Sequence, residues 1–213
     1  MRKIRIMEHI SLDGVIQAPG GPEEDPNGFA YGGWAAPHDD PAGGEAIVAA
    51  HGDDFDLLLG RRTYDIWSGF WPHAPKSPMA DAINGATKYV ATHRPDSLGW
   101  GPAEVLGPDL VAGVRRIKAM DGPHLIVWGS STLTPVLLEH ELADEILLLV
   151  FPVLLGTGKR FFSDGTPPRE TRARQLEGCV LGRDHQHLPP QRAFADRHHG
   201  RIGMSRRQRA GLK

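Results

Sequence analysis

Short apolar runs and helical periods alternate along the first 165 residues of the chain. Residues 3–10 (KIRIMEHI) put β-branched and apolar side chains at alternate positions, the pattern of a strand. Residues 56–60 (DLLLG), 125–128 (LIVW) and 145–152 (EILLLVFP) are continuous apolar runs too short for helices, and predict strands buried on both faces. Residues 87–92 (TKYVAT) alternate and predict a further strand. Helices are predicted over 45–51, from Thr63 to Trp67, over 110–120 and over 133–140. In the third, Leu110, Val114 and Ile117 share one face. In the last, Pro135 is tolerable only because it falls in the first turn. Strands and helices alternating in this way predict an α/β fold whose sheet contains parallel strands.

Two stretches break the alternation. Residues 13–43 are rich in Gly, Pro and Asp, with PGGP at 19–22 and GGW at 32–34. A connection of that length is expected to be a lid or binding loop, and Phe29, Tyr31 and Trp34 predict that it packs in part. Residues 169–213 show almost no apolar period and are crowded with Arg, His, Gln and Pro. They predict an irregular basic tail behind a domain spanning 1–168. They also read like another frame of a GC-rich gene.

Charge sharpens this division. The net charge of −2 is the sum of an acidic first part and a tail holding 11 basic and 4 acidic residues. Apolar residues at 40% and charged residues at 23% describe a globular chain, and no apolar run is long enough to cross a bilayer. A start of MRKIRI, without a leader-like apolar stretch, together with a lone Cys179, predicts a cytoplasmic protein without disulfides. The tail histidines (His185, His187, His198, His199) lack zinc-site spacing, so no metal is expected. The tail arginines lack interleaved aromatic residues, which argues against nucleic acid as the main partner.

Candidate chemistry gathers at two corners where a buried strand ends in glycine and a helix begins. The first is LLLGRRTY, containing Gly60, Arg61, Arg62 and Thr63; the second is LIVWGSST, containing Gly129, Ser130, Ser131 and Thr132. Glycine permits close approach of a ligand, helix N–H groups attract phosphate, and guanidinium groups suit a phosphate or 2′-phosphate. Thr63 is a candidate helix cap as well. Neither corner matches the GxGxxG or P-loop pattern. Both should lie at the carboxyl ends of parallel strands, where sheet ligands collect.

SLDG at 11–14, LLLGRRTY, WGSSTL, and LADEILLLVFPVLLGTGKRFF at 142–162 occur in an order and spacing that resemble the dihydrofolate-reductase-like superfamily. Within it they resemble the riboflavin-biosynthesis reductase domain of the RibD C-terminal type. The resemblance implies a mixed, mainly parallel eight-stranded sheet flanked by helices, NADPH as cofactor, and hydride transfer to a small pterin- or pyrimidine-like heterocycle. It allows a homodimer. It implies that Gly60, Arg61, Arg62 and Thr63 meet phosphates on the adenosine side, that Thr92, His93 and Arg94 approach the 2′-phosphate, and that Gly129, Ser130, Ser131 and Thr132 hold the pyrophosphate. Gly156 and Gly158 match a glycine-rich turn near the nicotinamide, and Asp13 with Gly14 a loop closing over it. Glu45, with Asp39 and Asp40 upstream, is the nearest match to the ring-orienting carboxylate of dihydrofolate reductases, so Asp13 and Glu45 are the catalytic candidates. Two further strands are expected after Phe162. The alternatives are a dinucleotide-binding module without turnover, and a nucleic-acid-associated protein acting through its tail.

Overall fold

The computed structural model describes residues 1–25, 27–38, 41–162 and 166. The expected basic tail, its histidines, its frame and the two strands expected after Phe162 lie outside these residues. The elements run β1 (Ile4–Ser11), α1 (Pro41–His51), β2 (Phe55–Gly60), α2 (Arg61–Phe70), α3 (Pro78–Gly85), β3 (Lys88–Ala91), β4 (Ala103–Val105), α4 (Leu110–Ala119), β5 (His124–Trp128), α5 (Leu133–Glu139) and β6 (Glu145–Phe151).

The sheet has strand order β4-β3-β2-β5-β1-β6, and every pair in it is parallel. Among the described residues the mixed, eight-stranded pattern is therefore a six-stranded parallel sheet, with one isolated antiparallel bridge between Val15 and Arg160. Alternation along each strand sends side chains to two separate cores. On one face Ile4, Ile6, Leu58 and Val127 pack under Val114 and Ile117 of α4 and Leu133 and Leu137 of α5. On the other, Met7, Leu57, Leu59, Ile126 and Trp128 pack under α1 to α3, with Trp67 of α2 and Trp71 just after it against them. Trp67 and Trp71 thus wall this core, while Phe70 between them is exposed. All six residues of β2 are buried, as its unbroken apolar run requires.

Two elements run against the pattern of the sequence. β6 reads as a doubly covered strand, yet among the described residues it is the last strand of the sheet, with Ile146 and Val150 exposed. α3 and β4 have no clear sequence signal. α3 is an eight-residue turn of chain opened by Ser77, which accepts from the Ala80 N–H at 3.1 Å, and β4 is three residues long. The long connection packs as expected: Trp34 is fully buried and donates through Nε1 to the Gln17 carbonyl at 2.8 Å.

Candidate functional site

In an all-parallel sheet the carboxyl ends of all strands share one side of the molecule. The non-sequential neighbours β2 and β5 are in register with Leu57 opposite Ile126, which puts Gly60 level with Gly129. The two corners touch. The Gly60 N–H donates to Ser130 Oγ at 2.9 Å, and Thr63 Oγ1 lies 3.2 Å from the same oxygen. A Cβ on Gly60 would fall 2.4 Å from Ser130 Oγ, so the space left by this glycine is taken up by the other corner. Gly129 at φ +61° and Ser130 at φ +70° both adopt the left-handed region, which is costly for a serine and typical of sites held open by their surroundings.

α2 starts at Arg61, directly after Gly60, and no side chain caps it. Thr63 is therefore in the first turn and turns toward Ser130, so the capping role expected for it does not hold. Arg61 turns away from the corner. Its guanidinium donates to Thr92 Oγ1 (3.4 Å), the Arg94 carbonyl (3.0 Å), Ser97 Oγ (2.7 Å) and Asp65 (2.8 Å), tying α2 to the segment after β3. Arg94 reaches the same Asp65 at 2.9 Å and stays 64% exposed. Arg62 pairs at 2.6 Å with Asp25 of the long loop, whose other oxygen takes a bond from Gln17. Gln17 in turn accepts from the Lys159 N–H at 2.9 Å. One chain of polar contacts thus joins α2, the loop and the turn after β6.

Asp13 closes the same side at its far end. Oδ1 accepts from the Ser11 hydroxyl (2.7 Å) and the Leu155 N–H (3.1 Å), and Oδ2 from the Gly156 N–H (2.7 Å). Burial pushes its pKa up, but these donated bonds together outweigh burial and hold the carboxyl below its usual value. Gly156 and Gly158 lie in this turn, both at positive φ. Glu45 is exposed on α1, as are His93 and Thr132, while Ser131 is half-buried. Asp39 and Asp40 lie outside the described residues.

Sequence reasoning missed two groups here. The first is aromatic: His9, Trp34 and His38 each meet the Phe151 ring edge-on, at 5.2, 5.5 and 6.4 Å, and His9 meets Trp128 at 5.2 Å. Trp128 is anchored from behind, donating through Nε1 to His51 Nε2 at 3.1 Å. These residues come from three strands and the loop, so no local pattern joins them. The second is Glu8, a carboxyl buried at 2% exposure in the middle of β1. The one available signal was a lone acid within an apolar strand.

The family model described as RibD C-terminal domain matches residues 2–186, past the change of composition at 168. Two Bacillus subtilis (strain 168) proteins, both uncharacterized, are similar in sequence. YyaP is 24% identical over 112 residues, 51% of this chain and 59% of its own length. YwjB is 28% identical over 118 residues, 55% and 63% respectively. The chain thus spans about three fifths of these relatives. Among solved structures, a Shewanella sp. PV-4 protein assigned to riboflavin biosynthesis aligns at TM-score 0.51 and 19% identity, over 76% of this chain and 84% of that one. The Thermotoga maritima diaminohydroxyphosphoribosylaminopyrimidine deaminase/5-amino-6-(5-phosphoribosylamino)uracil reductase aligns at TM-score 0.57 and 13% identity, over 84% of this chain and 54% of that one. At these identities the two structures speak for the fold.

Proposed function

The chain belongs to the RibD C-terminal domain family, and from that premise we propose that it is an NADPH-dependent reductase passing a hydride to a small pterin- or pyrimidine-like heterocycle, in or beside riboflavin biosynthesis. The observation that carries this reading is the contact of Gly60 with Ser130, which merges two glycine corners from strands far apart in sequence into one surface. A reductase activity appears in the name of the Thermotoga relative.

The residues present fit a dinucleotide phosphate. The first turn of α2 and the strained Gly129–Ser130 backbone would receive the pyrophosphate. Arg94, exposed and braced with Arg61 around Asp65, would receive the 2′-phosphate, with Thr92 beside them. The bound coenzyme would supply the hydride. His9 and Phe151, with the fully buried Trp34 packed edge-on behind them, would form an aromatic wall at the β1 and β6 end. Asp13, with all its bonds committed to Ser11, Leu155 and Gly156, would act as a positioning residue that fixes the Gly156 turn over that end, and Glu45 would have no part.

Fluorescence titration of the protein with NADPH and NADH tests this directly, followed by NADPH oxidation in the presence of dihydrofolate and of a pyrimidinedione. Saturable binding that favours NADPH is expected. Failure to bind either coenzyme would overturn the reading; binding without oxidation of NADPH by any ring compound would leave a dinucleotide-binding module.

A further inference from the structure

Among the described residues, buried carboxyls are bonded at both oxygens, with one exception. Asp56 accepts from the Thr87 N–H at 2.9 Å and from Arg2. Asp25 accepts from the Asn27 N–H, Arg62 and Gln17. Glu8 Oε2 is the one buried carboxyl oxygen among the described residues without a hydrogen-bond partner. An acceptor left so in the interior costs on the order of 1–3 kcal/mol, which is a reason to look for a missing partner.

The position of Glu8 says where that partner comes from. Met7 stands opposite Trp128, so Glu8 stands level with Gly129, and Gly129 level with Gly60. Glu8 is thus one strand spacing, about 4.8 Å, from Gly129 and about twice that from Gly60, on the side where the coenzyme's reacting end would follow its pyrophosphate. We propose, resting on the reductase reading, that Glu8 is a ligand-binding residue whose carboxyl pairs with a planar amide edge of the molecule bound at the carboxyl end of the sheet.

The chemistry follows from the surroundings. Glu8 shares the face of Ile6 and Ile10, which cluster with Ile16, Leu133 and Phe161. Burial there raises its pKa well above the usual value; the His9 N–H opposes this, and the Glu24 carboxylate of the long loop adds to it. Burial thus favours the protonated carboxyl, which offers an O–H donor beside a C=O acceptor. A planar amide presents the complementary N–H and C=O side by side and takes both bonds at once. Two molecules expected at this site carry that edge: the nicotinamide carboxamide, and the lactam of a pterin- or pyrimidine-like ring.

The affinities of Glu8→Ala and Glu8→Gln for three probes decide it: NADPH, 2′-phospho-ADP-ribose, which lacks the nicotinamide, and lumazine added with NADP⁺. Glu8→Ala should lose about tenfold for a probe that pairs with Glu8, while Glu8→Gln, which keeps a donor and an acceptor, stays within about threefold. A loss on NADPH but not on 2′-phospho-ADP-ribose assigns the nicotinamide; a loss on lumazine with NADPH unchanged assigns the ring. Unchanged 2′-phospho-ADP-ribose binding also shows that the variant is folded, and a loss on all three probes alike would overturn the proposal as a folding effect. Unchanged affinity of Glu8→Ala for every probe that the wild type binds would overturn it and leave the reductase reading standing. A wild type that binds neither NADPH nor 2′-phospho-ADP-ribose would overturn that reading, and this proposal with it.

Discussion

The two ends of the sheet both bury polar groups, but they treat them differently. At the amino end the charges are closed off. Arg2 bonds to Asp56, to the Pro123 carbonyl at 2.6 Å and to the Tyr89 hydroxyl at 3.3 Å. Lys88 is fully buried, donates to the Asn84 carbonyl at 2.5 Å, and lies 4.3 Å from the centre of the Trp100 ring. At the carboxyl end the groups stay open: an exposed Arg94, a left-handed Ser130 and an acid with a bare oxygen. A polar network serving only the fold satisfies its members, because each unsatisfied group costs free energy without return. His124 Nε2, at the start of β5, also lacks a partner, but the unmet carboxyl and the strained backbone lie at the carboxyl end, which is the end suited to meet a ligand.

The sharpest way to break this contrast is Asp56→Ala. It strands the Arg2 guanidinium in the interior and should cost roughly 3–5 kcal/mol in denaturant unfolding, while coenzyme affinity of the folded fraction stays unchanged. Arg94→Ala should do the reverse. Stability should barely move, since the residue is exposed, but NADPH affinity should fall by about tenfold or more with NADH unaffected, as paired titrations would show. Equal losses for both coenzymes would remove Arg94 from the 2′-phosphate site. Gly129→Ala lies between the two: forcing a side chain to φ +61°, 3.1 Å from Thr63 Oγ1, should cost about 1–2 kcal/mol of stability and weaken NADPH binding as well.

The smallest effect concerns pH. Burial holds the imidazole of His51 below its ordinary 6.5, helped by His124 and Arg5 and opposed by the Ile47 carbonyl. Burial and Arg5 do the same to His124. The folded state thus binds fewer protons than the unfolded chain just below 6.5. The stability that this implies is complete above 6.5 and is lost as pH falls through the lowered folded values. Lys88, pushed down to about 8 by burial, adds a gain as pH rises from there toward 10.5. Urea melts across pH should show both trends, and His51→Gln should flatten the acid limb; an unchanged limb would assign it elsewhere.

Much of the framework was legible because it is local. A buried strand built on three successive leucines, a glycine at its end and an amphipathic turn after it are properties of neighbouring residues, and β2, β5, α2 and α4 appear where the pattern puts them, within a few residues. α3 and β4 escaped because eight residues opened by proline and three beside a Gly/Pro-rich turn carry too little period. The candidate corners were visible as two separate motifs. Their union was not, nor was the turning of Arg61 to Ser97 instead of toward the corner.

The amino-acid sequence by itself determined the α/β class, the two glycine corners and the basic residues beside them, because periodicity and turn chemistry act over a few residues. Only the tertiary structure decided that Ser130 fills the space of Gly60, that Phe151 gathers His9 and Trp34, and that Glu8 stands level with Gly129 with an oxygen unmet. Those facts depend on the strand order β2-β5-β1-β6, a choice among long-range pairings that is settled by how the two cores pack and not by any one stretch of chain.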